Sequence, residues 1–202
     1  MSTKKAPAQA DIYQIKVTLL GTDPPVWRRL LVPAQATLAQ LHNVLQAAMG
    51  WQDDHLHEFC VGKTRFGPPN PDPVGLFMGV PPVTDESTVP LSSVLVRVGA
   101  KATYTYDFGD EWEHGIVLEK RLPADPNLTY PICTAGERAG PPEDCGGIYG
   151  YYDLVEAIGD PDHDRHEEML DWIGEYDPEA FSLDEVNGAL SRFQRRRKAA
   201  RG

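Results

Sequence analysis

The side chains best suited to chemistry fall in three short stretches of the chain. Asp107, Asp110 and His114 bracket a tight turn, with Glu111 and Glu113 between them. A carboxylate beside an imidazole suits general acid–base chemistry, or a borderline divalent metal such as Zn, Mn or Fe. His55 and His57 are spaced i, i+2, so a strand there would turn both imidazoles to one face, a common way to hold one metal. These spacings make His55, His57, Asp107 and His114 the candidate metal ligands. Glu143-Asp144 follows Pro141-Pro142 and precedes Gly146-Gly147-x-x-Gly150. Pro142 stiffens that loop, while Gly146, Gly147 and Gly150 permit positive φ and close backbone approach. Each stretch also has a structural reading. Asp-Phe-Gly-Asp makes a good turn. One of the two histidines can face solvent and the other the core. Glu143-Asp144 can sit at the positive end of the helix that follows.

Positioning these groups requires a scaffold, and the periodicity supplies one. Ile15, Val17 and Leu19 alternate with polar residues, as in a half-buried strand. A turn at Gly21–Pro25 leads to a second strand over 26–32. Thr37 with Gln40 fits a capping box for a helix whose apolar stripe is Leu38, Leu41, Val44, Leu45 and Ala48, stopped by Gly50. A third strand is predicted over 55–61. Residues 67–90 contain seven prolines and read as a loop. One or two helical turns follow over 91–98. Tyr104, Tyr106 and Phe108 alternate with Thr103, Thr105 and Asp107, which places Asp107 on a strand opposite the tyrosine face. The returning strand, 114–122, brings His114 near Asp107. Residues 123–149 read as irregular.

Three helices close the chain. The first spans 151–158. The second runs from Pro161 to Ile173 and presents His163, His166 and Glu167 on one face. The third is capped by Ser182 with Glu185. Trp51, Trp112 and Trp172 read as core. Strands and a helix, then a hairpin, then helices, indicate an α+β fold: one domain over 11–191 with a mainly antiparallel sheet covered by helices. The opening strand–turn–strand–helix–strand is analogous to the start of a β-grasp domain. Residues 1–10 form a lead and 192–202 a basic tail.

Composition narrows the function classes. The net charge of −11 is unevenly placed: residues 1–100 are neutral, 101–191 carry −17 and 192–202 carry +6. An acidic body repels phosphate backbones, which leaves nucleic-acid contact only to the tail, through Arg192, Arg195, Arg196, Arg197 and Lys198. No apolar run approaches a membrane span. The N-terminal residues lack the apolar stretch of a signal peptide, and Cys60, Cys133 and Cys145 form no paired pattern, so a cytoplasmic protein with reduced thiols is expected.

Four stretches together carry a family resemblance. They are Leu41-His42 through Trp51 to Phe59, then Tyr104 to His114, then Cys133 through Pro141-Pro142-Glu143-Asp144-Cys145-Gly146-Gly147 to Tyr151, and last Trp172, Phe181 and Val186-Asn187. Over about residues 11–190 the chain resembles the plasmid Ri ORF-3-like family, whose members are carried on plasmids and insertion elements, some labelled as resolvases. The resemblance implies a single α+β domain and no assigned activity. Its pattern maps onto His57, Asp107, Asp110, Trp112, His114, Pro142, Glu143, Asp144, Gly146, Gly147 and Gly150. Cys145 stands where relatives more often have an apolar residue, which argues against an essential thiol.

The resolvase label does not fit these residues. No serine occurs between residues 11 and 86 to act as an early nucleophile, and His163-Asp164-Arg165-His166 has its arginine at the wrong offset for a tyrosine recombinase. Two readings remain. One is a non-enzymatic interaction module that binds another protein. The other is a metal-dependent hydrolase using His57, Asp107, Asp110, His114, Glu143 and Asp144 around one cleft. The hydrolase requires those side chains to converge.

Overall fold

The computed structural model describes residues 11–69 and 83–199, with side chains described as far as Arg192. The lead 1–10, the centre of the Pro-rich stretch (70–82) and the side chains of Arg195, Arg196, Arg197 and Lys198 therefore lie outside the described residues.

Alternating apolar residues make β1 (Asp11–Leu19) and β2 (Trp27–Pro33) a hairpin, with Ile15 opposite Leu30. The Thr37 hydroxyl accepts from the Gln40 N–H and opens α1 (Leu38–Met49), and Gly50 closes it at φ 89°. Then come β3 (His57–Val61), β4 (Thr64–Gly67), β5 (Thr84–Asp85), a 3-10 turn (Glu86–Thr88) and the short α2 (Leu91–Val94). The long hairpin β6 (Lys101–Tyr106) and β7 (Trp112–Pro123) precedes β8 (Ile132–Glu137). The chain finishes with α3 (Gly147–Gly159), α4 (His166–Ile173) and α5 (Leu183–Ala199).

The result is α+β. Among the described residues, eight strands form one sheet in the order β5-β4-β3-β6-β7-β1-β2-β8, antiparallel except between β4 and β5. The N-terminal hairpin, α1 and β3 follow one another as in the β-grasp analogy, but β7 and β6 stand between β1 and β3. One sheet face buries Ile15, Val17, Leu30, Phe59, Tyr104, Ile116 and Leu118 against α1. The other face stays polar, with Gln14 and Arg29 both hydrogen-bonded to Glu119. That division is usual for an antiparallel sheet. Arg28 is the exception on the inward face. It is 2 % exposed and donates to the carbonyls of Ala48, Trp27 and Glu137. Burial lowers its pKa to about 10.

Several predicted boundaries shift, and two shifts matter for the site. β3 begins at His57, so His55 lies in irregular chain before the strand. β6 ends at Tyr106, and Asp107 adopts φ 56° in the turn rather than extending the strand. Short strands β4 and β5 occur beside the described ends of the Pro-rich stretch, and β8 occurs within the segment read as irregular. The helix predicted over 151–158 starts four residues earlier, at Gly147. The helix predicted from Pro161 starts only at His166, so His163 does not share its face with His166 and Glu167.

Candidate functional site

Strand register lines up the side chains that matter. Across β3, β6 and β7, His57 stands opposite Tyr106 and Tyr106 opposite Trp112, while Phe59, Tyr104 and His114 form the adjoining row. Beyond these strand ends, segments 51–56, 107–111 and 141–146 meet. The Asp107 N–H donates to the Leu56 carbonyl at 2.9 Å, and the Trp51 indole donates to the Pro141 carbonyl at 2.8 Å.

The Tyr106 hydroxyl ties two of the segments together. It donates to Glu143 at 2.5 Å and accepts from the backbone N–H groups of Asp54 and His55. Burial, then Glu143, raises its pKa well above the ordinary tyrosine value. Glu143 also accepts from the Gln52 N–H at 3.0 Å. The helix-end alternative for this pair is thus taken by another residue. Asp110 accepts from the Gly146 N–H at 3.1 Å, and Gly146 begins α3 in the left-handed region with no side-chain cap. A Cβ on Gly147 would come within 2.5 Å of the Asp110 carbonyl, and one on Gly150 would run into the Cys145 carbonyl. Glycine at 147 and 150 is therefore a steric requirement. Pro142 stays half-buried in the loop between Pro141 and Glu143.

His55 lies at this rim between two carboxylates. Its Nδ1 is 3.7 Å from Asp107 Oδ2, and its Nε2 is 3.1 Å from Asp144 Oδ1. Nε2 is shielded from solvent yet makes no well-directed hydrogen bond among the described residues. The His55 ring meets Tyr106 edge-on at 5.7 Å.

His57 is elsewhere, in a closed polar network beneath α1. Its ring stacks on His42 at 3.5 Å and 5°. Its Nε2 lies 3.0 Å from both oxygens of Glu86, a residue only 5 % exposed. His42 approaches the Tyr104 hydroxyl at 2.8 Å and Asp53 at 2.7 Å. Gln46 donates to the same hydroxyl and accepts from the Asp53 N–H. Asp53 can only accept, so His42 Nε2 carries the proton and Nδ1 receives the tyrosine O–H. Burial, then His57, depresses the His42 pKa.

His114 is also interior. Its Nδ1 faces the carbonyls of Trp112 and Tyr104, so Nδ1 is protonated. Its Nε2, like the buried Trp112 indole N–H, has no hydrogen-bond partner among the described residues. Burial pushes the His114 pKa down to about 4.

The six side chains required for one hydrolase cleft therefore do not converge. His57 and His114 face the interior, Glu143 serves Tyr106, Asp110 serves Gly146, and Asp107 and Asp144 flank His55. Trp112 is buried.

Next to Asp144 opens a cleft of about 550 Å³ between α3 and α4. Apolar Leu154 and Met169 line it together with acidic Asp153 and Glu168. Trp172, expected in the core, is 48 % exposed in this cleft. Arg165, which also lines it, is held by Glu168 at 3.2 Å. His166 donates to the Ala157 carbonyl at 2.8 Å, pinning α4 to the end of α3.

The model of the plasmid pRiA4b ORF-3-like protein family matches residues 11–185. The chain belongs to this family. It is 41 % identical over 184 residues to the uncharacterized protein y4hQ of Sinorhizobium fredii, covering 90 % of this chain and 91 % of that one. Its fold is similar to the crystal structure of MM3350, a protein of unknown function from Methanosarcina mazei Go1. The TM-score is 0.78 at 38 % identity, covering 89 % of this chain and 99 % of that one.

The thiols of this ORF-3-like protein are poorly suited to nucleophilic work. Burial, then Glu58, raises the Cys60 pKa to about 11, and burial, then Asp110, raises Cys145 to about 12. Cys133 is raised too, chiefly by burial. Since the thiolate is the reactive form, iodoacetamide at pH 7 should modify Cys60 and Cys145 in the folded protein at least about a hundredfold more slowly than in the urea-unfolded chain. Rapid labelling of Cys145 in the folded state, read by mass spectrometry, would contradict these environments.

Sequence reasoning did not single out the buried His42 and Glu86 or the cleft at Trp172. His42 carried a visible signal, because it lies in phase with Leu38 and Leu45 on the buried stripe of α1. Glu86 carried none, being 29 residues from the histidine it meets.

Proposed function

We propose that this ORF-3-like protein is a non-enzymatic, cytoplasmic interaction module that docks a cationic segment of another protein in the cleft between α3 and α4. The observation that carries this reading is the half-exposed Trp172 beside Leu154 and Met169, with Asp144, Asp153 and Glu168 around it. An indole face and nearby carboxylates attract lysine and arginine side chains, while the apolar residues take their aliphatic stems. Arg165 offsets only one of those carboxylates and is already engaged by Glu168. The −17 charge of residues 101–191 favours the same occupant.

Fluorescence anisotropy with a labelled peptide of alternating arginine and leucine tests this, against the same peptide with glutamate for arginine. Binding of the basic peptide alone is expected. Trp172→Ala should weaken it about 30-fold, the usual scale for a buried aromatic anchor. Asp153→Lys should weaken it too. Equal binding of both peptides, or indifference to both substitutions, would remove the proposal. A second reading, a metal-dependent hydrolase, has support only from the smaller group His55, Asp107 and Asp144.

A further inference from the structure

We propose that His55, Asp107 and Asp144 form a divalent transition-metal site at the rim of the sheet, with Zn²⁺ the preferred ion. This goes beyond peptide docking and does not depend on it. One donor atom from each of the three residues lies within 4.8 Å of the other two. Ligands bonded to one metal at about 2.1 Å are spaced about 3.0 Å in octahedral and about 3.4 Å in tetrahedral geometry. The 3.1 Å between His55 Nε2 and Asp144 Oδ1 falls in that range.

The surroundings leave these atoms ready for an ion. His55 Nε2 is sequestered from water without a well-directed hydrogen bond, although a carboxylate oxygen lies beside it. Asp107 uses Oδ1 to accept from the Gly109 N–H at 2.8 Å, and its Oδ2 lies nearest His55 Nδ1 rather than Nε2, so an ion held by Nε2 and Asp144 takes Asp107 as its more distant third ligand. The three ligands come from three separate segments. Each segment is fixed by contacts that do not use the ligand atoms: Tyr106 to the His55 backbone, Leu56 to the Asp107 backbone, and Asp110 to the Gly146 backbone. Two carboxylates balance the 2+ charge. One imidazole with two carboxylate oxygens suits Zn²⁺ and, more weakly, Mn²⁺. Three protein ligands leave coordination positions for water, as in open rather than structural sites.

The other convergent group, His42, Asp53 and His57, is a poorer cage. Both nitrogens of His42 already engage Tyr104 and Asp53, and His57 Nε2 engages Glu86.

Titration of the untagged, chelator-stripped full chain with ZnCl₂ by isothermal calorimetry tests the site, with MgCl₂ as control. One Zn²⁺ per chain is expected, with little heat from Mg²⁺. His55→Ala and Asp144→Asn should each weaken Zn²⁺ binding at least about tenfold, the low end for loss of a metal contact. Circular dichroism melts of both variants should match the parent, because both residues are at least partly exposed. Co²⁺ substitution should give visible absorption that is lost in His55→Ala. The proposal falls if Zn²⁺ does not bind, or if binding persists unchanged in a folded His55→Ala protein. Trp172→Ala should leave Zn²⁺ binding intact, so failure of the metal site and failure of peptide docking are read separately.

Discussion

Glu86→Ala is expected to cost about 2–3 kcal/mol of folding stability, the upper range for leaving a buried hydrogen-bond donor without its acceptor. Glu86 is 5 % exposed and faces His57 Nε2 at 3.0 Å with both carboxylate oxygens. Without it the imidazole N–H is stranded beneath α1, stacked on a second buried imidazole. Glu86→Gln keeps an acceptor in reach, so its loss should be about 1–2 kcal/mol, the scale of an altered hydrogen bond. Urea melts at pH 7 followed by circular dichroism read both. A double-mutant cycle with His57→Leu should show that most of the Glu86→Ala penalty disappears once His57 is gone. A Glu86→Ala loss below about 1 kcal/mol would mean that the pair is not the buried contact described.

The second large effect is acid sensitivity. Burial holds His114 at about 4, below the ordinary 6.5, and depresses His42 in the same direction. The unfolded chain therefore takes up protons on these residues at a higher pH than the folded one. Stability from them is complete above pH 6.5, falls as pH drops below 6.5, and stops falling for His114 once pH passes about 4. At about 1.4 kcal/mol per pH unit, His114 alone accounts for about 3 kcal/mol across that window. His114→Asn keeps a donor near the Nδ1 position but cannot titrate, so it should flatten the dependence between pH 6.5 and 4 whatever its stability at pH 7. Urea midpoints at pH 7, 5.5 and 4 measure the slope. An unchanged slope in His114→Asn would contradict a buried neutral imidazole at this position.

The parts of this fold that could be read directly are those with strong local periodicity. The alternation in β1, the capped stripe of α1 and the tyrosine row of β6 each bury one face, and one face is all that a pattern reports. β4 and β5 are too short for a pattern. β8 reads Ile-Cys-Thr-Ala-Gly-Glu and, at the sheet edge beside β2, buries only Cys133 fully. The candidate site depended on boundaries, and there a shift of two residues mattered. With β3 starting at His57, the two histidines separate, one into the interior and one to the rim. Asp107 leaves β6 because aspartate tolerates positive φ, and that turn brings its carboxylate toward His55. The convergence of His55, Asp107 and Asp144 is long-range, so no local spacing encodes it. Trp172 looked like core because large aromatics dominate cores, yet α4 packs on α3 rather than on the sheet and leaves the indole half-exposed.

The most direct measurement of peptide docking uses the four tryptophan indoles as reporters. Trp27 donates to Glu137, Trp51 donates to Pro141, Trp112 is buried, and Trp172 lines the cleft. In a ¹⁵N–¹H correlation spectrum of the indole-labelled protein, titrated with the arginine–leucine peptide, the Trp172 resonance should shift progressively while those of Trp27, Trp51 and Trp112 stay in place. A stationary Trp172 signal under saturating peptide, or movement of Trp27 instead, would place the cationic segment outside the cleft between α3 and α4 and overturn the proposed function.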